Sequence, residues 1–294
     1  MANNVTAGKG EAWASVLQTV LRENFVGMNI ANTKFEGEFS NGNDTVHFPR
    51  LAKITSLDLA TSYSDVTVQN LIESDETFTL DYRKHFAFEL SDEDRIELRA
   101  DPESQAIKDG AEAFAKDWDD TIMSQHASAL YTIDDGDMET ATNGGAGNPI
   151  KLSKGNIYDM FTALNEKFDE ANVPMENRSV TLSPAEKRLL SNSAEFQRAS
   201  DLGDQIARKG FFGDVDGTRV FISNNLVSAG GIKHGLGAQG KPVSFAANIK
   251  PKVQIVGSEY RESFADLVKA QTKYGSKLFS EGAERLADIN IFTV

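Results

Sequence analysis

The clearest pattern of apolar positions along the chain is a helical stripe that follows Asp101-Pro102. Apolar residues recur three and four positions apart from Ile107 to Ala129, and the remaining positions, Asp119 among them, are mostly polar. Aspartate followed by proline is typical of a helix start, because aspartate caps free amides and proline fits the first turn. The pattern predicts a spine helix about 40 Å long that ends near Leu130 and lies on a sheet.

A shorter helical stripe lies near the N-terminus, between Glu11 and Asn24. The segments on either side are polar and rich in asparagine and glycine, so residues 1–45 are predicted to form an arm. The stripe packs either on its own domain or on a neighbouring subunit, and its apolar members are candidate intersubunit contacts. These members are Trp13, Val16, Leu17, Val20 and Leu21.

Residues 46–90 have the pattern of extended structure. The turn-forming residues 41–44 precede a strand that starts at Thr45, and residues 77–90 alternate between apolar and polar. Residues 51–75 between them carry few apolar side chains. Because a two-stranded ribbon with so little core is marginal alone, it is predicted to rest on something outside the subunit. The candidate contacts there are Lys53, Leu57, Leu59 and Tyr63.

The rest of the chain predicts further helices and short strands. After a polar loop at residues 134–149, Ser153 begins a helix that reaches Phe168, and residues 183–186 form a Ser-Pro-Ala-Glu capping box. Because helices and strands do not alternate regularly, an α+β fold is favoured over a doubly wound parallel sheet. The predicted strands are Thr218–Ile222, Val243–Ile249, Val253–Val256, Phe264–Lys273 and Leu286–Phe292.

Composition and charge narrow the classes of function. The 294 residues include no cysteine, which removes disulfides and cysteine-based catalysis or metal binding. The net charge is −14, and residues 61–120 contain 17 acidic and 6 basic residues. This balance argues against a protein whose main task is to grip nucleic acid, although it suits a container for nucleic acid. No apolar run is long enough to cross a bilayer and no secretory signal is visible, so we expect no membrane partner and a cytoplasmic site of synthesis and use.

Few residues suggest chemistry. Residues 235–241 match a phosphate-loop pattern, but Pro242 replaces the magnesium-binding Ser or Thr and a strand is predicted next, so a flexible surface loop is favoured. The aspartate-rich residues 134–137 and 214–217 lack the glycine and glutamate of calcium loops and are predicted to be turns. The four histidines are far apart, and no nucleophile elbow is present. We therefore predict no catalytic residue, cofactor or metal.

Two segments carry a family resemblance. In the first, a strand leads into Ser183-Pro184, a helix follows, and a glycine-spaced segment ends in Ser-Asn-x-Leu. The matching residues of that segment are Gly210, Gly213, Gly217, Val220, Ser223, Asn224 and Leu226. In the second, Tyr274-Gly275 leads through Glu284 to the last strand. Both segments resemble the major capsid proteins of tailed double-stranded-DNA bacteriophages, whose fold is shared with encapsulins.

The resemblance implies the phage major-capsid fold. Its parts would be an N-terminal arm (1–45), an extended two-stranded loop (46–90), a peripheral domain with the spine helix (91–130), an axial domain (131–239) and return strands (240–294). It also implies copies that form pentamers and hexamers of an icosahedral virion shell, assembled in the host cytoplasm with a portal. The enclosed DNA would be bound without sequence specificity. Because the chain begins directly with the arm, a separate scaffolding protein is expected.

Some members of the family form Lys–Asn cross-links. Lys53 is the only lysine in the extended loop before Lys84, but its sequence context is not distinctive.

Two other functions stay open. An encapsulin-like nanocompartment would use the same fold to enclose a cargo enzyme, and neighbouring genes would distinguish it from a viral shell. A soluble hydrolase with an unrecognised site is disfavoured by the missing motifs and by the arm and ribbon, which an enzyme does not need.

Overall fold

The computed structural model describes residues 26–39, 44–51, 54–58, 68–70, 73–91, 102–193, 214–256 and 265–293. The helices there are α1 (Pro102–Met123), α2 (Ile157–Glu170), α3 (Pro184–Ser191) and α4 (Ser280–Ala283), with 3₁₀ helices at Gly27–Asn29, Lys34–Phe39 and Ser124–Ser128. The strands are β1 (Ala31–Asn32), β2 (Thr45–Leu51), β3 (Glu73–Thr79), β4 (Tyr82–Ser91), β5 (Tyr131–Ile133), β6 (Arg178–Leu182), β7 (Asp214–Val215), β8 (Thr218–Ile222), β9 (Ser228–Ala229), β10 (Ile232–Gln239), β11 (Val243–Val256), β12 (Ala265–Leu278) and β13 (Leu286–Phe292). The predicted α+β class is confirmed.

A seven-stranded mixed sheet has the order β5-β13-β10-β6-β8-β7, with β9 paired to β10. One face, which includes Ile289, packs against α2 through Phe161 and Leu164. A side chain at Gly237 would lie 2.7 Å from Cδ1 of Leu164, so glycine lets the strand and helix approach closely. The sheet and α2 together enclose one apolar core.

The spine helix α1 packs on a four-stranded sheet of order β1-β11-β12-β4. The first half of the helix packs on β4 and β12 through Ile107 and Phe114. The second half, through Trp118 and Ile122, also packs on the face of the seven-stranded sheet that is opposite α2. The predicted stripe and the start at Pro102 are confirmed, whereas Asp101 lies outside the described residues. The spine helix therefore joins the two sheets.

The end of the spine helix differs from the prediction. The α-helix stops at Met123 and continues as the 3₁₀ helix Ser124–Ser128, short of Leu130. The Ser124 hydroxyl donates to the carbonyl of Thr121 at 2.7 Å. Such local side-chain bonds compete with helical backbone bonds, which is a physical reason for the tighter turn.

The extended loop is shorter than predicted. β2 and β3 form an isolated antiparallel ribbon, whereas β4 pairs with β12 in the four-stranded sheet. The alternating pattern of residues 77–90 therefore spans two sheets. The break falls at Leu80, whose amide donates to the carbonyl of Asp44 at 2.9 Å. The prediction of one loop up to Leu90 was wrong because strands of both sheets show the same alternation of apolar and polar residues, with a repeat of two.

Most other predicted elements are confirmed. α3 begins at Pro184 with both capping-box bonds between Ser183 and Glu186, and β8 and β13 have the predicted bounds. The helix predicted after Ser153 begins only at Ile157. The two strands predicted between residues 243 and 256 are a single strand, β11. Among the described residues, no helix has both the length and the apolar content that a bilayer crossing requires.

Candidate functional site

The nine predicted contact residues have unequal outcomes. Leu57 is described, and its side chain is 54% exposed. The other eight, which are Trp13, Val16, Leu17, Val20, Leu21, Lys53, Leu59 and Tyr63, lie outside the described residues. Their role in subunit contacts stays a prediction.

β2 and β3 form a two-stranded ribbon, and residues 54–58 and 68–70 continue its two legs to the free end. The strands pair from Thr45 opposite Thr79 to Leu51 opposite Glu73. Further out, the side chain of Gln69 donates to the Thr55 carbonyl at 2.6 Å and accepts from the Thr55 amide at 3.2 Å. A side-chain amide thus joins the two legs where the backbone ladder has ended.

Exposed apolar side chains are concentrated at the free end of the ribbon. Of the eight large apolar side chains that are exposed in the described parts of the chain, four lie there: Leu51, Ile54, Leu57 and Val68. The exposed fraction reaches 68% for Ile54 and 83% for Val68. Clustered exposed apolar groups mark surfaces that bind another protein.

The other end of the ribbon, its base, is fixed by aromatic rings. The centroid of Phe48 lies 4.8 Å from that of Phe35 and 5.2 Å from that of Phe279, both in edge-to-face geometry. Phe78 meets Phe39 at 5.1 Å in the same manner. Edge-to-face pairs add to the stability that burial provides. The base is thus part of the subunit's own core, contrary to the expectation that the whole ribbon rests outside it.

Charged residues also hold the base. The Nζ atom of Lys273 forms an ion pair with the carboxylate of Asp44, and Arg83 lies 3.3 Å from that carboxylate. The hydrogen bond from Lys273 lowers the pKa of Asp44 below its usual range. The lysine side chain is buried, so it requires this partner.

Asp119 forms a second junction. The sequence placed it on the polar face of the spine helix, but it is fully buried. Its carboxylate accepts hydrogen bonds from the Gly27 amide at 2.5 Å, the Ser223 hydroxyl at 3.2 Å and the Asn225 side chain at 2.9 Å. Burial raises the pKa of Asp119, and the three bonds offset this only in part. Ser223 belongs to the segment that carries the family resemblance.

The glycine-rich segment 235–241 is not a surface loop. Residues up to Gln239 belong to β10, inside the seven-stranded sheet, and they are buried. The prediction was wrong because the glycines suggested a turn, whereas here Gly237 gives space to Leu164. The intervening Leu236 and Ala238 face the core under the spine helix.

The aspartate-rich segments are turns, as predicted. Asp135 accepts hydrogen bonds from the amides of Thr142, Asn143 and Gly145 at 2.6–2.9 Å and so organises its loop. Asp216 and Gly217 have φ values of 52° and 71° and form the hairpin between β7 and β8.

The structure also contains a cluster of three titratable side chains that the sequence did not predict. The rings of His126 and His234 stack with centroids 3.9 Å apart, and both Nδ1 atoms face the carboxylate of Asp288. The histidines are 108 positions apart in the chain, so only the fold brings them together.

Comparison with known proteins places the fold. No family model and no curated protein matches the chain. Among solved structures, a chain of Mycobacterium phage Che8 is similar with a TM-score of 0.72 and 20% identity, over 90% of each chain. The mature capsid of bacteriophage PhiM1 is similar with a TM-score of 0.66 and 13% identity, over 90% of this chain and 88% of that one. A virus-like particle from Pyrococcus furiosus has a TM-score of 0.58 and 10% identity, over 96% and 99%.

These similarities define the class of structure. The chain has the major-capsid fold of tailed bacteriophages, as the resemblance implied. The phage structures reach higher TM-scores than the Pyrococcus particle does.

Proposed function

We propose that this protein is the major capsid protein of a tailed, double-stranded-DNA bacteriophage. The observation that carries the proposal is the similarity of nearly the whole chain to phage capsid structures. A protein with this fold that acts as a shell subunit is a structural protein and not an enzyme. Copies of the chain would form the pentamers and hexamers of an icosahedral shell.

The ribbon supplies a physical basis for self-association. Its base is anchored by aromatic and charged contacts, while its free end exposes Ile54 and Val68 to solvent. Burial of such side chains against a neighbouring copy would contribute about 1.5–3 kcal/mol each. A firmly held base and an apolar free end fit an intersubunit clasp.

Other partners follow from the same proposal. A scaffolding protein would guide assembly in the host cytoplasm, and a portal would occupy one vertex of the shell. The net charge of −14 would repel the phosphates of the enclosed DNA, so the shell wall would not hold the DNA in place. The finished location would be the virion.

Expression with the scaffolding protein, followed by negative-stain microscopy, tests the proposal. We expect closed particles, or rings of five and six subunits. A species that stays monomeric by light scattering across salt and protein concentration would contradict it.

An encapsulin-like compartment is the second candidate, and the similarity to the Pyrococcus furiosus particle over nearly both full chains favours it. The contents of particles from the native source separate the two functions. Double-stranded DNA protected from nuclease would support the viral shell, and a protein cargo would support the compartment.

A further inference from the structure

We propose that His126, His234 and Asp288 form a binding site for a divalent transition-metal ion of the zinc type. One ligand atom from each residue lies within 4.8 Å of the others. Nδ1 of His234 is 2.9 Å and Nδ1 of His126 is 3.4 Å from Oδ2 of Asp288. Two imidazole nitrogens with one carboxylate oxygen are a donor set that zinc-type ions favour.

The spacing of the donors is close to that of a bound ion. Metal–ligand distances of about 2.0–2.2 Å in a tetrahedral site place neighbouring ligand atoms about 3.3–3.6 Å apart. The donors of His234 and Asp288 would separate by a few tenths of an ångström. The two rings are inclined by only 20°, so both must tilt to direct their lone pairs at one ion. That tilt is a rotation about the Cβ–Cγ bond, which is a soft torsion.

A nearby polar atom supports a ligand at this place. Asn290 is directly opposite His234 in the β10–β13 ladder and two residues from Asp288, so the three side chains leave the sheet on one face. The amide oxygen Oδ1 of Asn290 is buried and has no hydrogen-bond partner. Buried polar atoms are normally satisfied, and a water on the fourth position of the ion would supply a donor.

The three ligands come from three different elements. His126 lies in the 3₁₀ helix that ends the spine helix, His234 in β10 and Asp288 in β13. Their side chains are 11–16% exposed, so solvent screens them weakly. A bound ion would tie the end of the spine helix to the middle of the seven-stranded sheet. This role does not depend on the proposed shell function.

Calorimetric titration of the chelator-treated full-length protein with zinc chloride tests the site. We expect saturable binding of one ion per chain. Each of the substitutions His126→Gln, His234→Gln and Asp288→Asn should weaken binding at least tenfold. The matched control is His85→Gln, which changes an exposed histidine on β4 and should leave the affinity unchanged. Magnesium should not compete, because it prefers oxygen ligands in octahedral geometry.

Absence of saturable zinc binding would overturn the proposal, and so would unchanged affinity in the three variants. Circular dichroism shows whether each variant folds. If a variant does not fold, the absorption spectrum of cobalt added to the unaltered protein gives a second readout. The ligand-field spectrum of a tetrahedral site with nitrogen ligands supports the proposal, and the spectrum of the hydrated ion overturns it.

Discussion

The side-chain amide of Asn225 donates a hydrogen bond of 2.9 Å to the carboxylate of Asp119. The two residues are 106 positions apart, one on the spine helix and the other after β8. Since the same carboxylate accepts from the amide of Gly27, three distant parts of the chain meet at one buried acid. Buried acceptors and donors that lose their partners are costly, so this junction is a sensitive point of the fold.

Replacement of Asp119 by alanine should destabilise the subunit. Three donors would lose their acceptor at once, and we expect the free energy of unfolding to fall by about 3 kcal/mol. Urea unfolding followed by circular dichroism measures this. Glu112→Ala, at an exposed position of the same helix, is the control and should change stability by less than about 0.5 kcal/mol. Equal effects of the two changes would contradict the role of the junction.

The loop around Asp135 should make stability depend on acid pH. Burial alone would raise the pKa of Asp135, but hydrogen bonds from Gly145, Thr142 and Asn143 lower it to about 2. Because folding lowers this pKa, the ionised carboxylate stabilises the folded protein at pH values above the unfolded pKa of 3.8. This contribution to the free energy of unfolding, about 2 kcal/mol, is lost as the pH falls towards 2. Asp135→Asn should therefore be less stable than the unaltered chain at pH 5, with a deficit that narrows towards pH 2.5.

Urea unfolding at several pH values measures that deficit. Glu139→Gln, at an exposed position of the same loop, is the matched control and should show no such narrowing. A deficit for Asp135→Asn that stays constant with pH would contradict the lowered pKa.

The aromatic base of the ribbon should contribute strongly to subunit stability. Phe78 is fully buried between Phe39 and Phe279, so Phe78→Ala should lower the free energy of unfolding by about 3–5 kcal/mol. Hydrogen exchange at the amides of β2 and β3 should also become faster. Tyr82→Ala, at a half-exposed aromatic position beyond the ribbon, should leave that exchange nearly unchanged.

The free end of the ribbon should matter for assembly and not for subunit stability. The double change Ile54→Ser and Val68→Ser removes two exposed apolar groups, so unfolding of the free subunit should shift by less than about 0.5 kcal/mol while particle formation fails. Met175→Ser is the control, because that side chain is 71% exposed but lies outside the ribbon. Normal particles from the double variant would rule out the clasp.

The N-terminal stripe gives a related prediction from sequence alone. Val16→Ser with Leu17→Ser should block assembly while leaving thermal unfolding of the free subunit nearly unchanged. Gln18→Ser with Thr19→Ser, off the stripe, should change neither assembly nor the thermal unfolding of the free subunit. A large loss of subunit stability in the first variant would show that the stripe packs on its own domain.

The sequence predicted those elements whose local chemistry agrees with their environment. The capping box of Ser183 and Glu186 placed α3, and the stripe from Ile107 placed the spine helix. These signals are local, because caps and apolar periodicity act within a few residues.

Other elements depend on neighbours that the sequence does not show. The segment containing Pro251 looked like a break between two strands, but β11 continues past it with register shifts between Ala247 and Lys252. Proline lacks an amide donor and is tolerated in sheets at such irregularities. β12 continues past Lys273 to Leu278, and Gly275 allows it to approach the backbone of Thr79.

The candidate sites were the least predictable part. Asp119 sits in a helical pattern that suggests a solvated face, and its burial depends on Gly27 and Asn225. The pairing of His126 with His234 depends on how the spine helix ends above β10. Long-range relations of this kind have no signature in the spacing of residues along one chain.

The position of β13 has a consequence for how the chain folds during synthesis. β13 is inserted between β5 and β10, and it pairs with both. The ribosome makes it after every other strand of that sheet, so in a nascent chain the edge strand β5 stays separated from β10 until Leu286–Phe292 has emerged. The apolar face over α2 then lacks Ile289 and is exposed to chaperones and to aggregation. Completion of the seven-stranded sheet is therefore a late event, set by translation and not by the early helices.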